Sequence, residues 1–301
     1  MNRSRQIWLL LLGFALLVAC RERPPADERP GLTVAVSIVP QRWLVEQIGG
    51  GDIEVITLIE PGKSPATYQP TDRQISRLRR AAVYFRIGVP FENAPWFDAV
   101  MASSRMHLVD TRRGIALRTM QSHAQAGKAT AEEHPHTGAM DPHLWLCPRL
   151  LKKQAQIIAE VLCELDPAHE ADYSARLLRL DKRLDEVEAA IREKLTPLKD
   201  RAFLVFHPAW GYFADEFDLR QIAIEIGGKQ PTDRELTELL LQARAEGIRV
   251  VFVQPQIAGN AAEAVAEAIS GRVETLDPLA PDVAENLLRV ADAIAESFSR
   301  P

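Results

Sequence analysis

Basic residues are in the minority: 36 Lys and Arg stand against 41 Asp and Glu, a formal net charge of −5. No cluster of Lys and Arg breaks that balance, so a groove that neutralises nucleic-acid phosphates is excluded. Long apolar runs are missing as well, because the stretch from Ile7 to Ala19 falls short of the about 20 residues that span a bilayer. Signatures of catalysis are absent too. There is no His-Glu-x-x-His helix and no nucleophile elbow, and Gly227-Gly228-Lys229 runs into Gln230-Pro231 instead of the spacing and hydroxyl of a phosphate loop. No period of 20 to 50 residues marks a solenoid. Aromatics are sparse at 6%, yet 47% hydrophobic and 26% charged residues describe a folded globular chain and exclude a mainly disordered or collagen-like one.

What is present begins at the N-terminus. Arg3 and Arg5 precede the apolar run, which has the length of a signal h-region. It ends Leu17-Val18-Ala19-Cys20, which resembles a bacterial lipobox, so 1–19 is expected to be a lipoprotein signal peptide and Cys20 the acylated mature N-terminus. A Pro- and charge-rich tether, 20–31, follows and holds nothing apolar to bury. The expected location is the cell envelope, as a membrane-anchored lipoprotein facing the periplasm or the exterior. Cys147 and Cys163 are the remaining cysteines. They flank one predicted helix, and about 15 residues at 1.5 Å each separate them too far for a disulfide, so both are read as buried small apolar residues.

Val- and Ile-rich runs alternate with helical patterns in both halves, the mark of an α/β protein with mostly parallel sheets. Strands are predicted at Leu32 to Ile38, Ile53 to Ile59 and Ala82 to Ile87, with helices from Pro40 to Gly49 and from Thr71, where Gln74 completes a capping box. The second half repeats the pattern. Strands are predicted at Ala202 to Phe206, Arg220 to Ile226, Arg249 to Gln254 and Arg272 to Leu276, with helices capped by Thr232 and starting at Asn260, and a terminal helix. Between the halves, Gln121 to Met140 reads as a loop carrying His123, His134 and His136. A charged helical stretch with an apolar stripe then runs from Arg149 to about Glu193, broken near Asp166-Pro167. Two lobes follow, 32–148 and 200–301, with connecting helices over 149–199.

Ligands of open parallel sheets bind beyond the carboxyl ends of the strands. His207 and Asp277 stand just past predicted strands, and His143 ends the histidine-bearing loop within Asp141-Pro142-His143-Leu144-Trp145. Two imidazoles and a carboxylate suit zinc, manganese or iron. Singly, each has a plainer reading: a hydrogen-bonded histidine after a strand, or an aspartate starting a turn before Pro278.

Together with His207-Pro208-Ala209-Trp210-Gly211-Tyr212-Phe213, Gly228-Lys229-Gln230-Pro231, Phe252-Val253-Gln254-Pro255-Gln256 and Leu276-Asp277-Pro278-Leu279, the Asp141 block resembles the zinc and manganese (ZnuA/TroA-like) solute-binding proteins of ABC importers. The resemblance runs from about Leu32 to the C-terminus. It implies two lobes joined by a long backbone helix, and a metal held between them by four segments, three of which supply His143, His207 and Asp277. The fourth departs from the pattern. In Pro61-Gly62-Lys63-Ser64-Pro65-Ala66-Thr67-Tyr68-Gln69-Pro70, Ala66 stands where the family places histidine, and Gln69 where it places a carboxylate. Water, His134 or His136 from the loop, a donor brought by a chelate, or Glu225 or Tyr68 could complete the set. The expected function is capture of a divalent metal, zinc first, for an ABC permease with its cytoplasmic ATPase, without catalysis and as a monomer. Alternatives are a binder of a metal chelate or other ligand, a His2Asp metal-dependent hydrolase, or a surface adhesion or storage role.

Overall fold

Among the described residues two sheets of four parallel strands each form, seven of the eight strands where the sequence predicts them. The computed structural model describes residues 31–60, 62–65, 67–120, 140–225, 229–256 and 260–299. The leader with Cys20, the loop histidines His123, His134 and His136, and Ala66 and Gly228 lie outside them.

The first half runs β1 (Leu32–Val36), α1 (Val39–Gly49), β2 (Ile53–Thr57), α2 (Asp72–Leu78), β3 (Val83–Arg86), α3 (Pro95–Ala102) and β4 (His107–Asp110). Its strand order is β2-β1-β3-β4. Thr71 caps α2 through the expected box with Gln74. The strands are shorter than read because the chain turns away while still pairing: Leu58 and Ile59 donate backbone hydrogen bonds to Val36 and Ser37 past the ends of β2 and β1. β4 was not anticipated. It is an edge strand with its first two residues exposed, so it carries no apolar run.

The helical connector is present with the break expected near Asp166-Pro167. α4 (Pro148–Leu165) and α5 (Glu170–Leu195) are separated by a turn at Pro167, whose ring cannot continue the first helix. α5 buries Tyr173, Leu180, Leu184, Val187, Ile191 and Leu195, a helical stripe laid against the core. Arg176 reaches from it to the carbonyl of Gly49 (2.8 Å) and to Asp52 (3.1 Å), satisfying the end of α1. Gly50 there has φ +65, a left-handed backbone that favours glycine, and the Arg176 guanidinium packs against it, 2.7 Å from where a Cβ would stand. Cys147 and Cys163 are unbridged. Cys147 is buried as expected, but Cys163 is only half-buried, since it lies off the apolar stripe of α4.

The second half runs β5 (Ala202–Val205), α6 (Gly211–Glu216), β6 (Arg220–Ala223), α7 (Asp233–Ala245), β7 (Val250–Val253), α8 (Asn260–Ala268), β8 (Arg272–Thr275) and α9 (Val283–Ser299). Its order, β6-β5-β7-β8, repeats that of the first sheet. Strand alternation sorts β5: Ala202 and Leu204 face a core confined to this half, whereas Phe203 and Val205 join a larger one. The larger core is continuous from Val34 through α4 and α5 to Ile294 of α9.

Candidate metal centre

Parallel register explains the surroundings of His207. Val205 pairs with Ala223, and two further residues along each strand bring His207 beside Glu225. The ladder persists there, with Glu225 N–H donating to the Phe206 carbonyl at 2.8 Å. His207 Nδ1 meets Glu225 Oε1 at 3.3 Å. A carboxylate only accepts, so Nδ1 is the donor in this contact, and in the neutral ring the Nε2 lone pair faces elsewhere.

His143 is set the same way by a nearer acid. Pro142 precedes it, a short 3-10 turn (Leu144–Leu146) follows, and α4 begins at Pro148. One oxygen of Asp141 accepts both the His143 backbone N–H (2.9 Å) and Nδ1 (2.8 Å). His143 is 9% exposed and Asp141 2%. Burial pushes the His143 imidazole below the ordinary histidine range; Asp141 opposes the shift and neighbouring His207 adds to it, favouring the neutral ring that a metal needs. The rings of His143 and His207 stand 5.3 Å apart between centres, at 74°.

Asp277 is tied to the same neighbourhood through its backbone. Trp145, whose ring is 5.1 Å from that of His143, donates its indole N–H to the Pro278 carbonyl at 2.6 Å. Asn286 donates to the Asp277 carbonyl at 2.8 Å. The Asp277 carboxylate itself takes the role of a turn acceptor, with Oδ1 receiving the N–H of Leu279 (2.9 Å) and the amide of Gln256 (3.4 Å). Among the described residues, no three His, Cys, Asp or Glu side chains are gathered closely enough to hold a metal ion. The structure thus sets His143 beside His207 and His207 against Glu225, and leaves the carboxylate of Asp277 in its turn.

Tyr68 has a different setting. Its ring packs on Phe91 (5.0 Å) and Trp96 (6.3 Å), and burial, with nearby Glu60, pushes its hydroxyl up to about 12. It lines a cavity of about 620 Å³ together with Glu60, Lys63, Gln69, Arg73 and Arg77. Sequence reasoning did not single out Asp141 or Trp145, although both lie within the block that named His143; their partners lie far away in sequence.

Residues 34–299 match the family model of ZnuA, zinc-uptake complex component A, periplasmic. The chain belongs to the ZnuA family. ZnuA of Yersinia pestis, a high-affinity zinc uptake system protein, is 27% identical over 269 residues, 82% of each chain. A crystal structure of ZnuA superposes with a TM-score of 0.80 at 37% identity, covering 89% of this chain and 99% of that one. A zinc-bound ZnuA deletion mutant superposes at 0.81, also at 37% identity, covering 90% and 99%. ZnuA-type proteins are metal-capturing solute-binding proteins that deliver to ABC importers, and this chain is a binding protein of that kind, not an enzyme. The family is extracytoplasmic, and no described helix is long and apolar enough to cross a membrane.

Proposed function

We propose that this ZnuA-family chain captures zinc between its two lobes, with Nε2 of His143 and Nε2 of His207 as the first two donors. The supporting observation is the distance between the rings. Zinc–nitrogen bonds of about 2.0–2.1 Å in a tetrahedral arrangement put the centres of two ligating imidazoles about 5 Å apart, against 5.3 Å here. Carboxylates already occupy both Nδ1 atoms, so the imidazoles are oriented before an ion arrives. Asp277, tethered through Trp145 and Asn286, is the third donor once its side chain leaves the turn.

The fourth place, filled in the family pattern by a histidine, falls to water or a loop histidine, His134 or His136. The lobes are taken as 32–148 and 200–301. The chain is proposed to be a monomer anchored through Cys20 and to serve one permease with its ATPase. A second reading, capture of metal inside an anionic chelate, draws on the cavity lined by Lys63, Arg73 and Arg77.

Equilibrium dialysis of the purified chain at neutral pH tests the proposal. One zinc per chain is expected, with affinity falling at least about a hundredfold in His143→Ala and His207→Ala, each removing a direct donor. Ala66→His is expected to tighten binding about tenfold or more. Folded protein that binds no zinc alone, but binds it with a polycarboxylate chelator, would favour the second reading.

A further inference from the structure

Two residues before His143 and five after His207, the hydroxyl of Tyr212 joins the two lobes. Arg118 and Asp141 face each other on a two-stranded ribbon, next to the antiparallel bridge between Thr119 and Met140. Asp141 N–H donates to the Arg118 carbonyl at 2.9 Å. In an antiparallel pair of this type the return bond would run from Arg118 N–H to the Asp141 carbonyl. Here the phenol of Tyr212 replaces it. Its oxygen accepts from Arg118 N–H (3.0 Å) while its proton goes to the Asp141 carbonyl (3.1 Å).

The contact continues around that hydroxyl. The Arg118 guanidinium lies 5.8 Å over the Tyr212 ring, 3.4 Å from Asp215 of α6 and 3.9 Å from the second oxygen of Asp141. It fills the space beside Gly211, where a Cβ would fall 1.8 Å from Nη1. Tyr212 is 6% exposed and Asp141 2%, so the Asp141 carbonyl has no ready access to water. Asp141 is the acid that orients His143, and Tyr212 lies five residues past His207.

We infer that Tyr212 and Arg118 are positioning residues for metal capture: by bridging the ribbon across the lobes, they hold His143 and His207 at ligating separation. The inference rests on the reading of those two histidines as donors. A phenol is suited to the task because one oxygen donates and accepts at once. Phenylalanine keeps the ring and leaves Arg118 N–H and the Asp141 carbonyl unpaired. The ribbon then shifts, carrying the oxygen that holds the His143 ring.

The test compares zinc affinity, by chelator competition, in the full chain and in Tyr212→Phe, with the visible spectrum of bound cobalt(II) as a second readout. The expected result is about a tenfold weaker zinc affinity, in the range of lost outer hydrogen bonds around metal ligands. A changed cobalt spectrum should accompany it, which a merely structural loss would not produce. Gly211→Ala, which displaces Arg118 while keeping the phenol, should weaken zinc by at least threefold and serves if Tyr212→Phe does not fold. Unchanged affinity and spectrum in the folded variant would overturn the positioning role while His207→Ala still abolishes binding. If His143→Ala and His207→Ala bind zinc as the parent does, the donor reading itself fails and the inference falls with it.

Discussion

Glu92 is 1% exposed and binds the ends of two strands together. Its carboxylate accepts from the N–H groups of Ile87 (3.1 Å) and Gly88 (2.6 Å) just past β3, and from the Ser37 hydroxyl just past β1; Ser37 also bonds the Tyr84 hydroxyl at 2.5 Å. β1 and β3 flank the point where the strand order of the first sheet reverses, the place where such sheets ordinarily receive ligands. Glu92→Ala strips two backbone donors of their acceptor and is expected to cost about 2–4 kcal/mol in urea unfolding. Burial raises the Glu92 carboxyl above its usual range, against the hydrogen bonds from Ser37, Ile87 and Gly88. A raised pKa means the folded state holds the proton more tightly, so this group's contribution is present below the ordinary glutamate range and lost as pH rises through the raised value. Native protein should therefore lose stability relative to Glu92→Gln over that interval, and parallel slopes would contradict the assignment. At this scale a residue stands out in the sequence where it sits in an ordered block, as His143 and His207 do, and the structure sets their rings 5.3 Å apart. Tyr212 belonged to such a block too, but its hydroxyl acts on partners 71 and 94 residues away, a relation no local spacing encodes.

Among elements, those that carry their own boundary chemistry were the readable ones. Thr71 with Gln74 and Thr232 with Glu235 form the capping boxes that start α2 and α7, and Pro167 ends the first connecting helix. β4 and the six-residue α6 escaped because neither is long enough to show a period. The join between α4 and α5 makes its own prediction. Asp166 bonds the His169 ring at 2.7 Å and the Tyr173 hydroxyl at 2.8 Å, and the Asp166 hydrogen bond raises the His169 pKa. An NMR titration should place His169 above the ordinary histidine midpoint, and Asp166→Asn should return it. What this contact adds to the join is present below that ordinary midpoint and fades as pH rises through the raised one. An unshifted His169 would show that the join is held without it.

Among the described residues, beside a smaller core confined to the second half, the larger core takes in both sheets and the helices between them. α9, the last element of the second half, packs Leu287, Val290, Ala291 and Ile294 into it, and α6 is pinned to the connector by Glu216, which meets Arg149 (2.7 Å) and Arg192 (3.0 Å). Shared burial of this kind couples the halves, so scanning calorimetry should give a single unfolding transition, and a fragment ending at residue 199 should not fold. Two separate peaks would mean that the lobes are thermodynamically independent. The alternation of strands and helices announced the two-lobed α/β architecture in advance, because each element has its own period. The core shared between the lobes did not show in the sequence, since it depends on which face of β5 and α9 meets the connector.

The larger core runs through both sheets and the connecting helices and does not include His207 or Asp277. Changes in what the protein carries can then accumulate one loop substitution at a time, while the body that an importer must recognise stays constant.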